Sequence, residues 1–257
     1  LKKIKLMLAL LMLGAYMQIN AQDPKEIDEK ASDISNPDTY EMTATLTTYD
    51  AKGNKRVRDF ASVSKKFGET TKTLIKFLSP ANVKGTAILI YDNKNKDDDM
   101  WIYMPALRKT RRIISSEKSK SFMGSEFSNA DMSRPTIDDF NYKLFRTEPY
   151  NGKTCRVIQI TPKTDKIADE NGFSKKIAWI DKDKYYVYKI EFYDLDGELW
   201  KVMTVNDYQE LGSGKVMSRK MEVKNEQTGR YSIMSVSKLQ SGSNLTENNF
   251  TTAMLEK

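Results

Sequence analysis

The chain has 257 residues, with 42 Lys and Arg against 35 Asp and Glu, no His and one Cys. Without His there is no Ser–His or Cys–His nucleophile pair and no His-containing zinc site, and one Cys makes neither an internal disulfide nor a thiolate cluster. The net charge of +7 is mild and the two signs are mixed along the chain, so no nucleic-acid partner is expected.

Residues 1–21 read as a secretory signal peptide. A basic start (Lys2, Lys3, Lys5) precedes an almost wholly apolar run from Leu6 to Met17, and Ala21 offers a small residue at a cleavage position. The apolar run is about half of the ~20 residues that a spanning helix needs. Loss of three lysines leaves 39 basic residues against 35 acidic ones, a net +4. No Cys follows the apolar run, so no lipid anchor is expected, and residues 22–257 are expected to fold as a single domain held by its core. Residues 23–36 suit a short helix. Asp23 can cap it, Pro24 fits its first turn, Ile27, Ala31 and Ile34 share a stripe, and Asn36-Pro37 ends it.

From residue 39 the period changes to two. Met42, Ala44 and Leu46 alternate with Thr43, Thr45 and Thr47, and Lys52-Gly53-Asn54 is a hairpin turn. Further strands are predicted around 57–63, 71–78, 86–91, 100–104 and 111–114. Residues 115–135 lose the alternation yet keep Phe122, Met123, Phe127 and Met132, the pattern of a functional loop with a short helix. Alternation resumes at 142–146, 154–161, 175–180, 185–193, 199–208, 215–223 and 231–239, with polar turns such as Asn151-Gly152 between them. Cys155 falls in one of these strands and reads as a half-buried strand residue. A final short helix is predicted near Thr246, presenting Phe250, Met254 and Leu255.

About a dozen strands in a meander either close into a barrel or curl and cover one face. The N-terminal helix, the 115–135 excursion and the C-terminal helix are the available covers, so the expected fold is mainly β with α covers: a curled antiparallel sheet forming an incomplete half-barrel. The densest acidic run, Asp97-Asp98-Asp99, has the oxygens of a calcium site but sits among turn residues, and a solvated hairpin is the expectation. No cofactor or metal is expected. A carboxylate hydrolase needs two acids across a polar cleft, and no such pair stands out, so the chain reads as a non-enzyme.

The most distinctive stretch runs Asp99, Trp101, Tyr103, Pro105, Leu107, Arg111-Arg112-Ile113, then Ser121-Phe122-Met123-Gly124-Ser125-Glu126-Phe127-Ser128 and Asp131-Met132. It resembles the outer-membrane lipoprotein-sorting protein family with LolA-like folds. Phe77 to Ala81 with Lys84-Gly85-Thr86, the hairpin Glu191 to Asp194 with Gly197 and Lys201, and Asn249-Phe250-Thr251 with Leu255 are similar to further steps of that family in the same order. The pattern departs at Asn129 and Ala130, where the family often has an aromatic and an acid.

The resemblance implies a half-barrel whose lidded, apolar concave face holds acyl chains of lipoproteins or other lipids in the periplasm. An inner-membrane transporter would be the donor, and a monomer is expected. The competing expectation is a lipid-sensing or interaction module that passes a signal to a partner protein. Trp101 and Tyr103 share one strand face, and they either line the cavity or belong to ordinary sheet core; which face is concave is open. Phe122, Met123 and Phe127 form either a lid pressing into the groove or a plain packed loop. Arg108, Arg111 and Arg112 either meet a lipid headgroup or acidic partner, or pair with Glu117, Glu126 or Asp131 to hold the loop.

Overall fold

A computed structural model describes residues 22–94, 96–242 and 244–257, so the expected signal peptide lies outside the described residues. Among these, thirteen strands make one antiparallel sheet that curls without closing. The first six are β1 (Thr39–Tyr49), β2 (Lys55–Phe67), β3 (Thr70–Ser79), β4 (Ala87–Asn93), β5 (Asp99–Met104) and β6 (Lys109–Ile113). The other seven are β7 (Phe140–Tyr150), β8 (Lys153–Pro162), β9 (Lys175–Asp181), β10 (Val187–Tyr193), β11 (Leu199–Gly212), β12 (Lys215–Asn225) and β13 (Tyr231–Gln240). Two helices accompany them: α1 (Pro24–Ile34), and α2 (Asp165–Asn171), a short helix that the sequence reading did not anticipate.

The spatial order is β6-β5-β4-β3-β2-β1-β13-β12-β11-β10-β9-β8-β7. The first meander therefore runs outward from the centre and the second runs back inward from the opposite edge, so β1 meets β13 in the middle, with Glu41 opposite Gln240 and Tyr49 opposite Tyr231. The two edges are β6 and β7, which are consecutive in the chain. Residues 114–139 thus pass from one edge of the sheet to the other.

Alternation in the strands sets the two faces. Ala44 and Leu46, Phe60, Ile75 and Phe77, Ile88 and Ile90, Ile158 and Ile160, Phe192, Met203 and Val205, Val223, and Met234 and Val236 all join one continuous core on the concave side. Helix α1 lays Ile27 and Ala31 into that core, with Asp23 accepting a hydrogen bond from the Lys25 N–H at its start. The convex side of the first six strands carries a separate cluster of Ala87, Leu89, Trp101 and Tyr103 under Phe250 and Leu255. The C-terminal segment that supplies Phe250 and Leu255 forms two 3₁₀ turns, Glu247–Phe250 and Thr252–Glu256. Between β7 and β8, Asn151 and Gly152 both take positive φ (47° and 74°), the tight hairpin geometry that this pair favours.

Candidate functional site

The candidate site is the concave trough and the cover that spans it. Local hydrogen bonds shape the tip of the cover. Met123 and Gly124 both have positive φ (52° and 73°), which reverses the chain sharply. Across this reversal the Phe122 N–H donates to the Phe127 carbonyl (2.8 Å), the Ser125 N–H donates to the Phe122 carbonyl (3.0 Å), and Ser121 bridges Ser128. The Ser125 hydroxyl donates to the Phe122 carbonyl as well (2.7 Å). This knuckle explains the Phe-Met-Gly-Ser string: it points Phe122 and Phe127 into the trough together. Both are buried to within 1% of full exclusion, and the Phe122 ring lies 6.2 Å from Phe77, itself 5.6 Å from Phe60. Met123 is half-buried against the same core. The trough beneath the knuckle is thus filled by the cover's own rings.

Polar latches hold the cover. The Glu126 carboxylate pairs with the Arg230 guanidinium (2.9 Å) and accepts from the Asn225 amide (2.9 Å), while its N–H donates to the Ser232 hydroxyl (2.9 Å). Asp131 accepts from the Ser128 N–H (2.7 Å) and pairs with Lys201 (3.3 Å). Lys201 is only 2% exposed and its ammonium also lies over the rings of Phe192 (4.7 Å) and Trp200 (4.6 Å). Farther along, the Arg134 N–H donates to Asp92 (3.0 Å) and its side chain reaches the Asn36 carbonyl and Asp33. Burial pushes the Asp92 carboxyl up to about 6, against the opposing pull of the Arg134 contact, and burial likewise raises Asp98.

The structure divides the residues expected to line one cavity. Phe122, Met123 and Phe127 face the trough together. Trp101 and Tyr103 lie on the convex face, with Trp101 edge-on to Tyr91 at 5.0 Å, and on β5 it is Met100 and Ile102 that face the trough. The three arginines diverge. Arg111 pairs with Glu117 (2.7 Å), Arg112 pairs with Asp99 across the other face, and Arg108 is exposed in the turn before β6 with a positive φ of 46°. Glu126 and Asp131 find Arg230 and Lys201 in place of these arginines. The Asp97–Asp99 run is occupied locally, since Asp98 accepts from the Asn93 N–H, and among the described residues no group of His, Cys, Asp or Glu is placed to hold a metal.

Sequence reasoning passed over the cations on the trough face. Lys201 shares the parity of Met203 and Val205, and Arg56 and Arg58 share that of Phe60. A cation at a core parity was the available signal. A cleft of about 150 Å3 opens beside the knuckle, lined by Thr48, Tyr49, Asp50, Asn54, Arg56, Gly124, Glu126, Arg230 and Ser232.

Comparison with known proteins adds the following. A family model described as "Uncharacterized protein" matches residues 69–257. A domain from Vibrio parahaemolyticus described as an outer-membrane lipoprotein-sorting protein domain is 30% identical, with a TM-score of 0.85 over 93% of this chain and 100% of that one. A DUF1329 family protein from Desulfovibrio piger is 27% identical, with a TM-score of 0.83 over 91% of this chain and 100% of that one. A LolA superfamily protein from Nitrosomonas europaea shares the fold at 21% identity and a TM-score of 0.71, over 91% of this chain and 100% of that one. A search of curated proteins found no match.

Proposed function

The chain belongs to the outer-membrane lipoprotein-sorting protein family, and we propose that it is a periplasmic carrier that holds the acyl chains of lipoproteins or other lipids in its trough. The observation that carries this reading is the cover: an aromatic knuckle buried in an apolar concave face, fastened by charged latches at its rim.

Magnitudes favour exchange. Lifting Phe122 and Phe127 out of the core costs roughly 3–6 kcal/mol in lost burial. An acyl chain of about sixteen carbons entering the same space gains roughly 10 kcal/mol before ordering costs, at about 0.8 kcal/mol per CH₂. The gross gain from a guest thus exceeds the burial lost by the two rings, and the difference is what remains to meet the ordering cost and the opening of the Glu126 and Asp131 ion pairs. No bond is made or broken, and carriage requires only the trough and the cover. Phe122, Met123 and Phe127 would touch the hydrocarbon, with Met123 adapting to chains of different shape. Trp101 and Tyr103 would support β5 from behind. An inner-membrane transporter would load the carrier, which would act as a monomer.

The test is extraction of purified protein followed by mass spectrometry for co-purified acyl lipid, together with uptake of a fluorescent fatty acid. Lipid in the extract and saturable uptake are expected, and Phe122→Ala, which leaves the trough less well plugged, should take up the probe more tightly by several-fold. A clean extract with no uptake by either protein overturns the reading.

A further inference from the structure

We infer that the cationic row under the tip of the cover is a receiving site for an oxyanion, a carboxylate or a phosphate, and that the carboxylate of Glu126 occupies it as an internal stand-in when the cover is closed. The inference rests on the carrier reading and names the class of its ligand.

The row is built by strand register. Lys201 lies opposite Asn225 on β11 and β12, and Ser232 on β13 lies opposite Thr48 on β1. Thr48 in turn lies opposite Arg56 on β2, with Arg58 two residues further along the same face. Arg230 stands at the start of β13 beside Asn225, whose N–H donates to the Arg230 carbonyl (2.8 Å). Four cations, Lys201, Arg230, Arg56 and Arg58, are thereby set along neighbouring strands at one rim of the trough.

The counter-charges belong to the cover. Glu126 pairs with Arg230 and Asp131 with Lys201. Among the described residues neither Arg56 nor Arg58 forms an ion pair, and one terminal nitrogen of Arg58 is buried with no hydrogen-bond partner. The remaining acid of the cleft, Asp50, is hydrogen-bonded within its own loop, accepting from the Lys52 and Asn54 N–H groups and the Asn54 amide, and feels Arg56 only as a weak, more distant charge. When the cover lifts, both of its acids leave, and the rim keeps four positive charges beside the Asn225 amide and the Ser232 hydroxyl. The site that Glu126 vacates already holds a carboxylate through one guanidinium and one amide, a geometry that suits any planar or tetrahedral oxyanion. The adjoining cleft of about 150 Å3 has room for such a group and a few waters, and not for a long hydrocarbon. An amphiphile would lie with its chain in the trough and its anionic end at this rim. A free anion would use the same donors.

The purified protein is titrated with a pyrene-labelled hexadecanoic acid, with the matching hexadecanol, and with inorganic phosphate alone, at pH 8 and low ionic strength. The acid should bind about tenfold more tightly than the alcohol. Arg230→Met with Arg56→Met should bring the two to near equality, the acid-to-alcohol ratio being the readout because loosening the Glu126 latch shifts both affinities together. Arg56→Gln alone, at an exposed position with no ion pair, should give a partial loss of the preference in a chain whose folding it leaves intact. Phosphate binding that is lost in the same variants supports the site with a free anion as its occupant, even where neither pyrene probe binds and carriage itself fails. Equal binding of acid and alcohol with no uptake of phosphate overturns the site while leaving the carrier reading in place. Binding of none of the three overturns both.

Discussion

Asp92 is a carboxylate kept against its preference. Burial raises it to about 6 from an ordinary 3.8, so between those values the folded chain holds a proton that the unfolded chain has lost. Stability contributed by the neutral form is complete near pH 4 and falls as the pH rises through 6. Asp92→Asn keeps an acceptor for the Arg134 N–H and removes the charge, so thermal melts should show it more stable than wild type at pH 7.5 by about 1–2 kcal/mol, allowing for partial exposure, and nearly equal at pH 4. At the Asp131–Lys201 pair, removing a carboxylate should destabilise instead. Asp131→Ala strands an ammonium that is 2% exposed and should cost about 3 kcal/mol in urea unfolding, whereas Asp131→Leu with Lys201→Met should lie near wild type. Both residues stood in the stretches that carried the family resemblance, but nothing in the sequence joins them: they sit seventy positions apart, and only the curl of the sheet brings the excursion over β11.

At the scale of elements, alternation located all thirteen strands because one face of each packs on the concave core. Their ends were less legible: β2 begins at Lys55, two residues before the first apolar position, Val57, and β11 runs to Gly212, past Tyr208. Helix α2 was missed because its seven residues offer little apolar period beyond Ile167. The facing of β5 was not readable at all. Trp101 and Tyr103 are covered by the C-terminal segment while Met100 and Ile102 are covered by the main core, so both faces are apolar and period two cannot rank them. That C-terminal segment is an integral cover: Phe250 is fully buried, meets Phe67 edge-on at 5.7 Å, and accepts a hydrogen bond from the Tyr91 hydroxyl at its carbonyl (2.5 Å). Phe250→Ala should cost about 3 kcal/mol by denaturant unfolding; a change under about 1 kcal/mol would show that the segment adds little to the fold.

Across the whole molecule, successive hairpins were legible as a meander, but the central junction of β1 with β13 was not, since it joins segments nearly two hundred residues apart. That junction makes the sheet depend on its last strand. A chain ending at Arg230 would leave β1 and β12 as unprotected inner edges, and it should aggregate on expression where the full chain stays dispersed, as size-exclusion chromatography would show. The long reach of the same pairing argues for slow folding. The crossing of residues 114–139 between β6 and β7 has a mechanical consequence of its own. Like the handle of a bucket, the strap is fixed at both rims, so if it lifts it would swing and never drift off. If the molecule carries cargo as proposed, the strap's return after unloading would be a first-order event independent of protein concentration, at a high effective molarity, and would reset the molecule for another round without outside help.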